Sequence, residues 1–278
     1  MSTTRLKVLF LGRKPAASTA LRLLYQQGCD ICAVVAPLTE EVADDSLFWR
    51  PLLRDTALEL KIPVVTDSTI YECLTSAEAS RRTGIDLENI DVVISFLFWK
   101  RVLPPLIGAP RIGAFNFHPG PLPEFRGRRG YNFAILEGHK EYGATVHWLS
   151  EKFDEGDVVE VRRLPILPDD TAFSLEQRTQ ELLVEMFCDF VTMLQSGKSV
   201  PRSPQGPGKS ATKAQMLAET RVRLDDPPEL TARRVRAFWY PPHTGATLTI
   251  GGRDYTLVDS NTLKGLGRFL HGSKDKPF

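Results

Sequence analysis

Cysteine is scarce in this 278-residue chain, and neither sign of charge is in excess. A chain of this length buries enough surface to fold without disulfide bonds. Its 35 basic and 34 acidic residues leave a formal net charge of +1, whereas a protein that mainly grips a nucleic-acid backbone has a clear basic excess. We therefore expect a large, self-sufficient core and no nucleic-acid partner.

Long hydrophobic runs are also missing. No stretch approaches the roughly 20 apolar residues of a membrane span, and residues 1–7 lead into an apolar strand without the hydrophobic region of a secretory signal. With 42% hydrophobic and 25% charged residues, the composition excludes collagen-like, coiled-coil and wholly disordered chains. We expect a cytoplasmic protein with no membrane partner.

Two of the four cysteines, Cys29 and Cys32, form a Cys-x-x-Cys pattern. Such a pair occurs in half of a zinc site and in redox motifs, but the second pair that zinc needs is missing because Cys73 and Cys188 stand alone. Cys32 also begins an apolar run that is typical of a buried strand. We interpret the cysteines as small hydrophobic residues of a protein in a reducing compartment, and we expect no metal site.

Short apolar runs alternate with helical patterns in the first part of the chain. Strands are predicted at Val8–Gly12, Ile31–Ala36, Ile62–Val65, Asp91–Phe96 and Gly113–Phe117, and helices at Pro15–Gln27 and Pro51–Leu60. Strands that alternate with helices form a mostly parallel sheet through right-handed crossovers. The pattern predicts a Rossmann-like α/β fold, in which ligands bind at the carboxyl ends of the strands.

The first strand-to-helix turn, Gly12–Ala16, lacks the Gly-x-Gly-x-x-Gly pattern of dinucleotide-binding proteins. Arg13 and Lys14 near a helix N-terminus are compatible with a bound phosphate, but we interpret the segment as a solvated turn.

The rest of the chain predicts further strands, a long helix and a terminal module. Strands at Gly143–Leu149 and Val158–Leu164 precede an amphipathic helix at Thr171–Leu194, and a helix at Leu230–Phe238 precedes a hairpin at Ala246–Val258. We predict an N-terminal α/β domain at residues 1–200, a linker at 201–216 and a small C-terminal module at 217–278 that contains the β-hairpin. The hairpin edge would make a dimer contact, and we expect a homodimer.

A polar motif begins where the strand Gly113–Phe117 ends. Asn116 and His118 are two residues apart on a strand, so both side chains leave the same face. An amide that donates hydrogen bonds and an imidazole that takes a proton suit acyl transfer to an amine, because one steadies a developing oxyanion while the other manages the proton. By residue type alone, however, a lone histidine at a strand end is more often structural than catalytic.

A second polar segment, Phe153–Asp157, is predicted to form a turn between two strands. Asp154 in this turn would orient His118 or raise its basicity. Aspartate and glycine are also ordinary turn formers. On residue type alone the turn interpretation is favoured.

The string from Asn116 to Gly127, Asn-x-His-Pro-x-x-Leu-Pro-x-x-Arg-Gly, followed by the turn Phe-Asp-x-Gly-Asp, resembles the folate-dependent formyltransferase family. Members of that family formylate glycinamide ribonucleotide, methionyl-tRNA or nucleotide-linked amino sugars. The resemblance runs from the first strand to about Asp157 and more weakly to Val258. It implies that the catalytic Asn, His and Asp of the family are Asn116, His118 and Asp154.

Two further segments, Gly130–Gly138 and Arg234–Gly245, resemble the nucleotide-sugar N-formyltransferases. The resemblance implies transfer of a formyl group from N10-formyltetrahydrofolate to the primary amine of a nucleotide-linked amino sugar, as in lipopolysaccharide O-antigen biosynthesis. In the implied reaction His118 accepts the amine proton, Asn116 holds the oxyanion and Asp154 fixes the imidazole. No metal is implied.

The resemblance also implies a place for the cofactor and the substrate at the strand ends. The implied cofactor-binding residues are Phe96, Phe98, Trp99, Gly120, Leu122 and Pro123. Core packing accounts for at least half of the aromatic run, because alternate side chains of a strand point inward. Arg126, Tyr131 and Asn132 are candidates for the sugar nucleotide, although Arg126 suits a structural ion pair as well as a phosphate clamp.

The remaining histidines match no part of the family motif. His139, His147, His243 and His271 are therefore interpreted as ordinary residues.

Three rival interpretations stay open. Methionyl-tRNA formyltransferases are usually longer, with a fuller C-terminal barrel and a basic surface for tRNA, and a steep salt dependence of tRNA binding would identify that activity. A hydrolase that deformylates the cofactor would release formate with no amine present. A silent binding module on the same fold is the third, and the intact motif argues against it.

Overall fold

The computed structural model describes residues 5–37, 50–128 and 130–264. Its strands are β1 (Lys7–Gly12), β2 (Asp30–Val35), β3 (Val64–Val65), β4 (Val92–Phe96), β5 (Gly113–His118), β6 (Glu141–Trp148), β7 (Val158–Pro165), β8 (Thr247–Ile250) and β9 (Arg253–Thr256). Its helices are α1 (Lys14–Gln26), α2 (Leu53–Glu59), α3 (Asp67–Thr75), α4 (Ala77–Thr83), α5 (Pro104–Ile107), α6 (Gly130–Leu136), α7 (Ala172–Gln195), α8 (Lys213–Glu219) and α9 (Pro228–Phe238). Within these residues no helix is long and apolar enough to cross a membrane.

The first seven strands form one sheet in the order β3-β2-β1-β4-β5-β6-β7. The strands β1 to β5 pair in parallel, whereas β5 and β6 pair antiparallel. The chain order reverses between β1 and β4, which is the point where ligands of open α/β sheets bind. The predicted mostly parallel, Rossmann-like sheet is confirmed.

Alternating side chains of the parallel strands build a separate core on each face of the sheet. On one face Phe10 packs with Phe96 and with Phe187 of α7. On the other, Leu9 belongs to a cluster that includes Ile70 of α3. Because strands buried on both faces need apolar residues at every position, they appear in the sequence as continuous apolar runs.

The short helix α5 is absent from the predicted elements. So are the longer helices α3 and α4. Each is capped at its start, since Thr66 Oγ1 accepts from the backbone N–H of Thr69 and Ser76 Oγ accepts from that of Ala79, both at 3.2 Å. Gly84 ends α4 in a left-handed conformation. Caps of this kind supply hydrogen-bond partners for backbone groups that a short helix otherwise leaves unpaired.

The chain clusters into two compact units. The first comprises Met1–Arg126, Gly143–Arg163 and Thr179–Lys209, and the second comprises Gly127–Tyr142, Leu164–Arg178 and Ser210–Phe278. In the second unit the Nδ2 of Asn132 donates to the carbonyl oxygen of Ala237 at 2.6 Å and thereby ties α6 to α9. The boundaries predicted at residues 200 and 217 stay a prediction.

The hairpin of β8 and β9 confirms the predicted antiparallel pair in the C-terminal part. Ile250 lies opposite Arg253, and the connecting Gly251 and Gly252 both have positive φ values, 58° and 78°. A two-residue hairpin turn needs this conformation, which glycine adopts without steric cost.

Candidate active site

Three polar side chains form a row across the neighbouring strands β4, β5 and β6. Ser95 lies opposite Asn116 in the parallel pairing, and Asn116 lies opposite His147 in the antiparallel pairing. Residues opposite each other on adjacent strands present their side chains to the same face. The strand register thus brings a hydroxyl, an amide and an imidazole together near the carboxyl end of β5.

Hydrogen bonds hold the side-chain amide of Asn116 at both ends. The hydroxyl of Ser95 donates to Oδ1 of Asn116 at 2.7 Å. The Nδ2 of Asn116 lies 3.0 Å from Nε2 of His147 and 3.5 Å from Oδ1 of Asp154. The amide is therefore a donor whose orientation is set in advance, which is what the stabilisation of an oxyanion requires.

His118 lies two residues farther along β5 and is 5% exposed. Its Nε2 is 2.8 Å from the carbonyl oxygen of Phe125. Because a carbonyl oxygen only accepts hydrogen bonds, Nε2 carries the proton of the neutral ring and Nδ1 has the free lone pair. Nδ1 is 3.5 Å from Oδ2 of Asp154, so a proton taken up at Nδ1 is held against a carboxylate.

Burial has the largest influence on the pKa of His118 and lowers it, because the charged imidazolium loses its hydration. The carboxylate of Asp154 opposes this effect by raising the pKa, and the neighbouring His147 lowers it. The net result is a pKa of His118 below its ordinary value of 6.5. The ring is therefore neutral at pH 7, which is the form that accepts a proton.

Asp154 lies in the turn between β6 and β7 and has a left-handed backbone, with φ of 53°. Aspartate tolerates this conformation better than most residues do. A Cβ at Gly156 would lie 1.8 Å from the carbonyl oxygen of Trp148, so only glycine lets the turn run against β6. The Asp-x-Gly pattern of this turn therefore has a backbone cause as well as a chemical one.

Gln205 anchors that turn from outside the motif. Its Nε2 donates to the carbonyl oxygens of Asp154 and Gly156 at 3.0 and 2.6 Å. Its Oε1 accepts from Nε and Nη2 of Arg126 at 3.3 and 3.1 Å. Arg126, a candidate for phosphate binding, thus directs its guanidinium to Gln205 and to the carbonyl oxygen of Gly206, 2.8 Å away.

Thr145 shapes the loop that follows β5. Its hydroxyl donates to the carbonyl oxygen of Gly120 and accepts from the backbone N–H of Leu122, at 2.8 and 2.9 Å. Thr145 is fully buried and lies opposite His118 in the antiparallel pairing. The loop that carries the cofactor candidates Gly120, Leu122 and Pro123 is therefore fixed by one hydroxyl group.

The aromatic run after β4 divides between core and surface. The side chain of Phe96 is fully buried and packs on Phe117, with ring centroids 5.3 Å apart, so only its backbone can meet a ligand. Leu97 turns the chain with a left-handed φ of 54°. Phe98 and Trp99 are half-buried, with ring centroids 4.7 Å apart, and they offer an aromatic surface at the strand end.

The other two substrate candidates belong to the second unit. Asn132 is buried, and its amide nitrogen is engaged with the carbonyl oxygen of Ala237. Tyr131 is half-buried and stacks on Tyr240, with ring centroids 6.2 Å apart. The hydroxyl of Tyr240 in turn donates to the buried carboxylate of Glu176.

The cysteine pair at β2, with Cys29 just before the strand and Cys32 within it, has no sign of special reactivity. Cys29 and Cys32 are free thiols, and burial raises the pKa of each to about 11. Thiols in this range stay protonated at pH 7 and are poor nucleophiles. Among the described residues no group of three or more His, Cys, Asp or Glu side chains is arranged to hold a metal ion.

Comparison with known proteins identifies the family. The Formyl transferase family model matches residues 55–191, a range that contains Asn116, His118 and Asp154. A methionyl-tRNA formyltransferase of Polynucleobacter asymbioticus is 30% identical over 269 residues, which cover 92% of this chain and 79% of that protein. The chain belongs to the folate-dependent formyltransferase family.

Another relative has a more local match to this formyltransferase. The methionyl-tRNA formyltransferase of Lysinibacillus sphaericus (strain C3-41) is 32% identical over 168 residues. The matched segment is 59% of this chain and spans half the length of that relative.

Solved structures show the same fold. The N-formyltransferase from Helicobacter canadensis, solved in complex with folinic acid and dTDP-3-aminofucose, superposes with a TM-score of 0.69 at 16% identity. The likeness covers 89% of this chain and 85% of that one. The predicted Rossmann-like formyltransferase fold is confirmed.

Two side chains at the formyltransferase site, His147 and Gln205, lie outside the sequence motif. His147 is on a predicted strand, but its proximity to Asn116 depends on the antiparallel register of β5 and β6, which no pattern in the sequence reveals. Gln205 lies in a segment rich in Ser, Pro and Gly that resembles a linker. In the structure Ser203 of this segment pairs with Val158 at the start of β7, so the segment is held against the sheet.

Proposed function

We propose that this protein transfers a formyl group from N10-formyltetrahydrofolate to the primary amine of a nucleotide-linked amino sugar. The observation that carries the proposal is a cluster of three side chains, in which the carboxylate of Asp154 lies 3.5 Å from the amide nitrogen of Asn116 and 3.5 Å from Nδ1 of His118. Family membership supports formyl transfer, and the site supplies the groups that such a reaction needs.

His118 acts as the proton acceptor through Nδ1. Its other nitrogen is held by the carbonyl oxygen of Phe125, so Nδ1 is the only ring atom with a lone pair for the proton of the attacking amine. As the new C–N bond forms, that proton moves to Nδ1, and it is returned to the leaving nitrogen as the old C–N bond breaks. Asp154 stabilises the imidazolium that exists between these two events.

Asn116 stabilises the negative charge that develops on the formyl oxygen. Its Nδ2 carries two N–H bonds, one toward His147 and one toward Asp154 at the long distance of 3.5 Å. The second N–H bond is weakly engaged, and an oxyanion accepts from it at little cost. A donor held in place before the reaction contributes more than one that must reorient.

The residues around the strand ends fit the folate. N10-formyltetrahydrofolate supplies the activated formyl group when it is bound. The half-buried rings of Phe98 and Trp99 offer a surface for a flat pterin, and the backbone of Phe96 lies beside them. The loop of Gly120, Leu122 and Pro123 follows the neighbouring strand β5 and is kept in one conformation by Thr145.

The choice of a sugar nucleotide as acceptor rests on three observations. The Helicobacter canadensis N-formyltransferase, which has the same fold, was solved with a nucleotide-linked amino sugar. The near-zero net charge of the chain is unlike that of a protein built to hold tRNA. The segments Gly130–Gly138 and Arg234–Gly245 resemble the nucleotide-sugar enzymes. We keep Tyr131 as a candidate contact for the nucleotide and assign Arg126 and Asn132 to structural contacts.

Methionyl-tRNA formylation is the second candidate function. Both relatives with 30% identity or more described above are methionyl-tRNA formyltransferases. This activity predicts binding of charged initiator tRNA that weakens steeply with salt.

The setting of the enzyme is also a proposal. We propose that it acts in the cytoplasm as a homodimer, in a pathway such as O-antigen biosynthesis. The hairpin β8–β9 supports self-association, because Ile250 and Tyr255 expose 56% and 49% of their surface there. Light scattering coupled to size-exclusion chromatography tests the dimer.

The deciding experiment is an acceptor panel read by mass spectrometry. The purified chain is incubated with N10-formyltetrahydrofolate and with amino sugars linked to dTDP, UDP or GDP. A product one formyl group heavier, absent with His118→Asn, supports the proposal and names the acceptor. Formylation of methionyl-tRNA alone would move the protein to the second candidate function. Release of formate without any acceptor would indicate a hydrolase, and silence throughout would indicate a binding module.

A further inference from the structure

His147 is almost completely buried, with 1% of its surface exposed. It sits on β6 directly opposite Asn116, and it lies outside the three residues that the mechanism uses. A buried histidine in contact with a catalytic amide needs a physical account, because burial of a polar ring without hydrogen bonds is costly.

The hydrogen bonds of the ring fix its tautomer. Nδ1 of His147 lies 2.8 Å from the carbonyl oxygen of Trp148, and this oxygen only accepts, so Nδ1 carries the proton. In the neutral ring Nε2 is then an acceptor. It lies 3.0 Å from Nδ2 of Asn116 and receives one of the two N–H bonds of that amide.

Ser95 completes the arrangement from the opposite strand. Its hydroxyl donates to Oδ1 of Asn116, so the oxygen end of the amide points to β4 and the nitrogen end to β6. A 180° rotation of the Asn116 side-chain amide would exchange Oδ1 and Nδ2 and set Oδ1 against the Nε2 lone pair of His147. Two acceptors 3.0 Å apart repel each other, which excludes this rotated amide while His147 is neutral.

We propose that His147, as the neutral Nδ1–H tautomer, is a positioning residue that keeps the amide of Asn116 turned so that an N–H bond, not the carbonyl, faces the reacting formyl oxygen. This inference rests on the proposed formyl transfer for its effect on rate. His147 touches neither substrate nor cofactor in this role and acts through Asn116 alone.

The first test separates the two nitrogens of the ring by substitution. His147→Asn keeps a donor for the Trp148 carbonyl but has no group that reaches Asn116, whereas His147→Gln places an acceptor near Nε2 and loses the Trp148 contact. We expect kcat to fall roughly tenfold in His147→Asn, because the hydrogen bond that orients the amide of Asn116 is lost, and to recover in His147→Gln. KM for both substrates should stay within about twofold, since neither substrate touches the ring.

Controls separate this role from a general loss of folding. Ser95→Ala removes the other anchor of the amide and should lower kcat in the same way. His139→Asn changes an exposed histidine that pairs with Glu137 and should leave kcat unchanged. Thermal unfolding of each variant confirms that the protein compared is folded. Equal loss of kcat in His147→Asn and His147→Gln, both folded, would overturn the proposal.

A spectroscopic readout keeps the proposal testable even if no formyl transfer is found. In the full chain labelled with ¹⁵N-histidine, the signals lost in His147→Gln identify the ring, and we expect them to show the Nδ1–H tautomer. The side-chain amide signals of Asn116 should move in His147→Asn and return in His147→Gln. An Nε2–H tautomer of His147 would contradict the inference, and so would Asn116 amide signals that do not change in either variant. Both results are independent of which acceptor the enzyme uses.

Discussion

Gln205 holds Asp154 by its backbone, through a hydrogen bond of 3.0 Å from the Gln205 side-chain nitrogen to the Asp154 carbonyl oxygen. The same nitrogen reaches Gly156 at 2.6 Å, and the oxygen of the same side chain is occupied by Arg126. One amide group thus joins the Asp154 turn to the loop that follows β5.

Replacing Gln205 by Glu should therefore weaken catalysis more than it weakens the fold. A carboxylate keeps the contact with Arg126 but cannot donate to the two carbonyl oxygens, which costs about 1–3 kcal/mol at buried acceptors. We expect a lower kcat with a modest fall in melting temperature. Gln205→Ala, which loses both contacts, should lose more stability. A Gln205→Glu enzyme with wild-type kcat would show that the Asp154 turn keeps its conformation without the hydrogen bonds from Gln205.

Activity should fall on acidification below pH 6.5. Burial lowers the pKa of His118 from 6.5, so the ring stays neutral through pH 7 and is inactivated only as the pH drops past its folded-state value. The decrease of kcat/KM in acid should lie below pH 6.5. Every variant that keeps His118 should still show this decrease. A profile flat across this range would rule out His118 as the proton acceptor.

The same shift predicts lower stability in acid. The unfolded chain takes up a proton near pH 6.5 while the buried ring of His118 does not, so the unfolded state binds more protons in that window. The free energy of unfolding therefore rises with pH through the window and is lost as pH falls below it. Urea unfolding at pH 5.5 and 7.5 measures this effect, and His118→Asn should show a smaller difference between the two.

Removing the charge of Asp154 should lower the pKa of His118 further. The Asp154 carboxylate raises that pKa, so in Asp154→Asn the ring should titrate at a lower pH. Titration of the His118 ring signals by NMR measures the change directly. We also expect kcat to fall by about 10²-fold or more, which is typical for loss of a group that assists proton transfer. An upward move of the pKa would mean that the carboxylate faces away from His118.

Gly156→Ala should destabilise the protein and disturb the Asp154 turn. The added Cβ would meet the Trp148 carbonyl oxygen at 1.8 Å, and forcing an extra carbon into a packed site costs about 1–3 kcal/mol. Gly206→Ala is a matched control in the neighbouring segment, since a Cβ there has nothing within 4 Å. Equal melting temperatures for the two variants would contradict the close approach of the turn to β6.

Most of the sheet could be predicted from the sequence because its parallel strands are buried on both faces. Val92–Phe96 is buried at every position, and such runs need no tertiary information to be found. The helices α3 and α4 were missed because they bury few apolar side chains, among them Ile70 and Ala79. Their start signals, Thr66 and Ser76, are single residues that are common in loops as well.

The motif that contains Asn116 and His118 can be recognised in the sequence, whereas the residues that surround it in the structure cannot. Asn116 and His118 share a face by the two-residue period of a strand, and that much follows from spacing alone. Their surroundings are formed by Phe125 in the loop after β5, by His147 on β6 and, through the turn of Asp154, by Gln205. Their contacts depend on strand register and on the path of one irregular segment, neither of which has a local pattern in the sequence.

The row of Ser95, Asn116 and His147 forms only when the strands β4, β5 and β6 pair in the correct register. Side chains of a strand alternate between faces, so a slip of one residue between β5 and β6 would set Val146 or Trp148 opposite Asn116 in place of His147. A chain with all its helices and strands formed but with this one pairing displaced would have lost the imidazole and gained an apolar group beside the amide. Insertions or deletions in the segment that connects β5 to β6 leave the row intact. A single insertion within either strand shifts the register and separates Asn116 from His147.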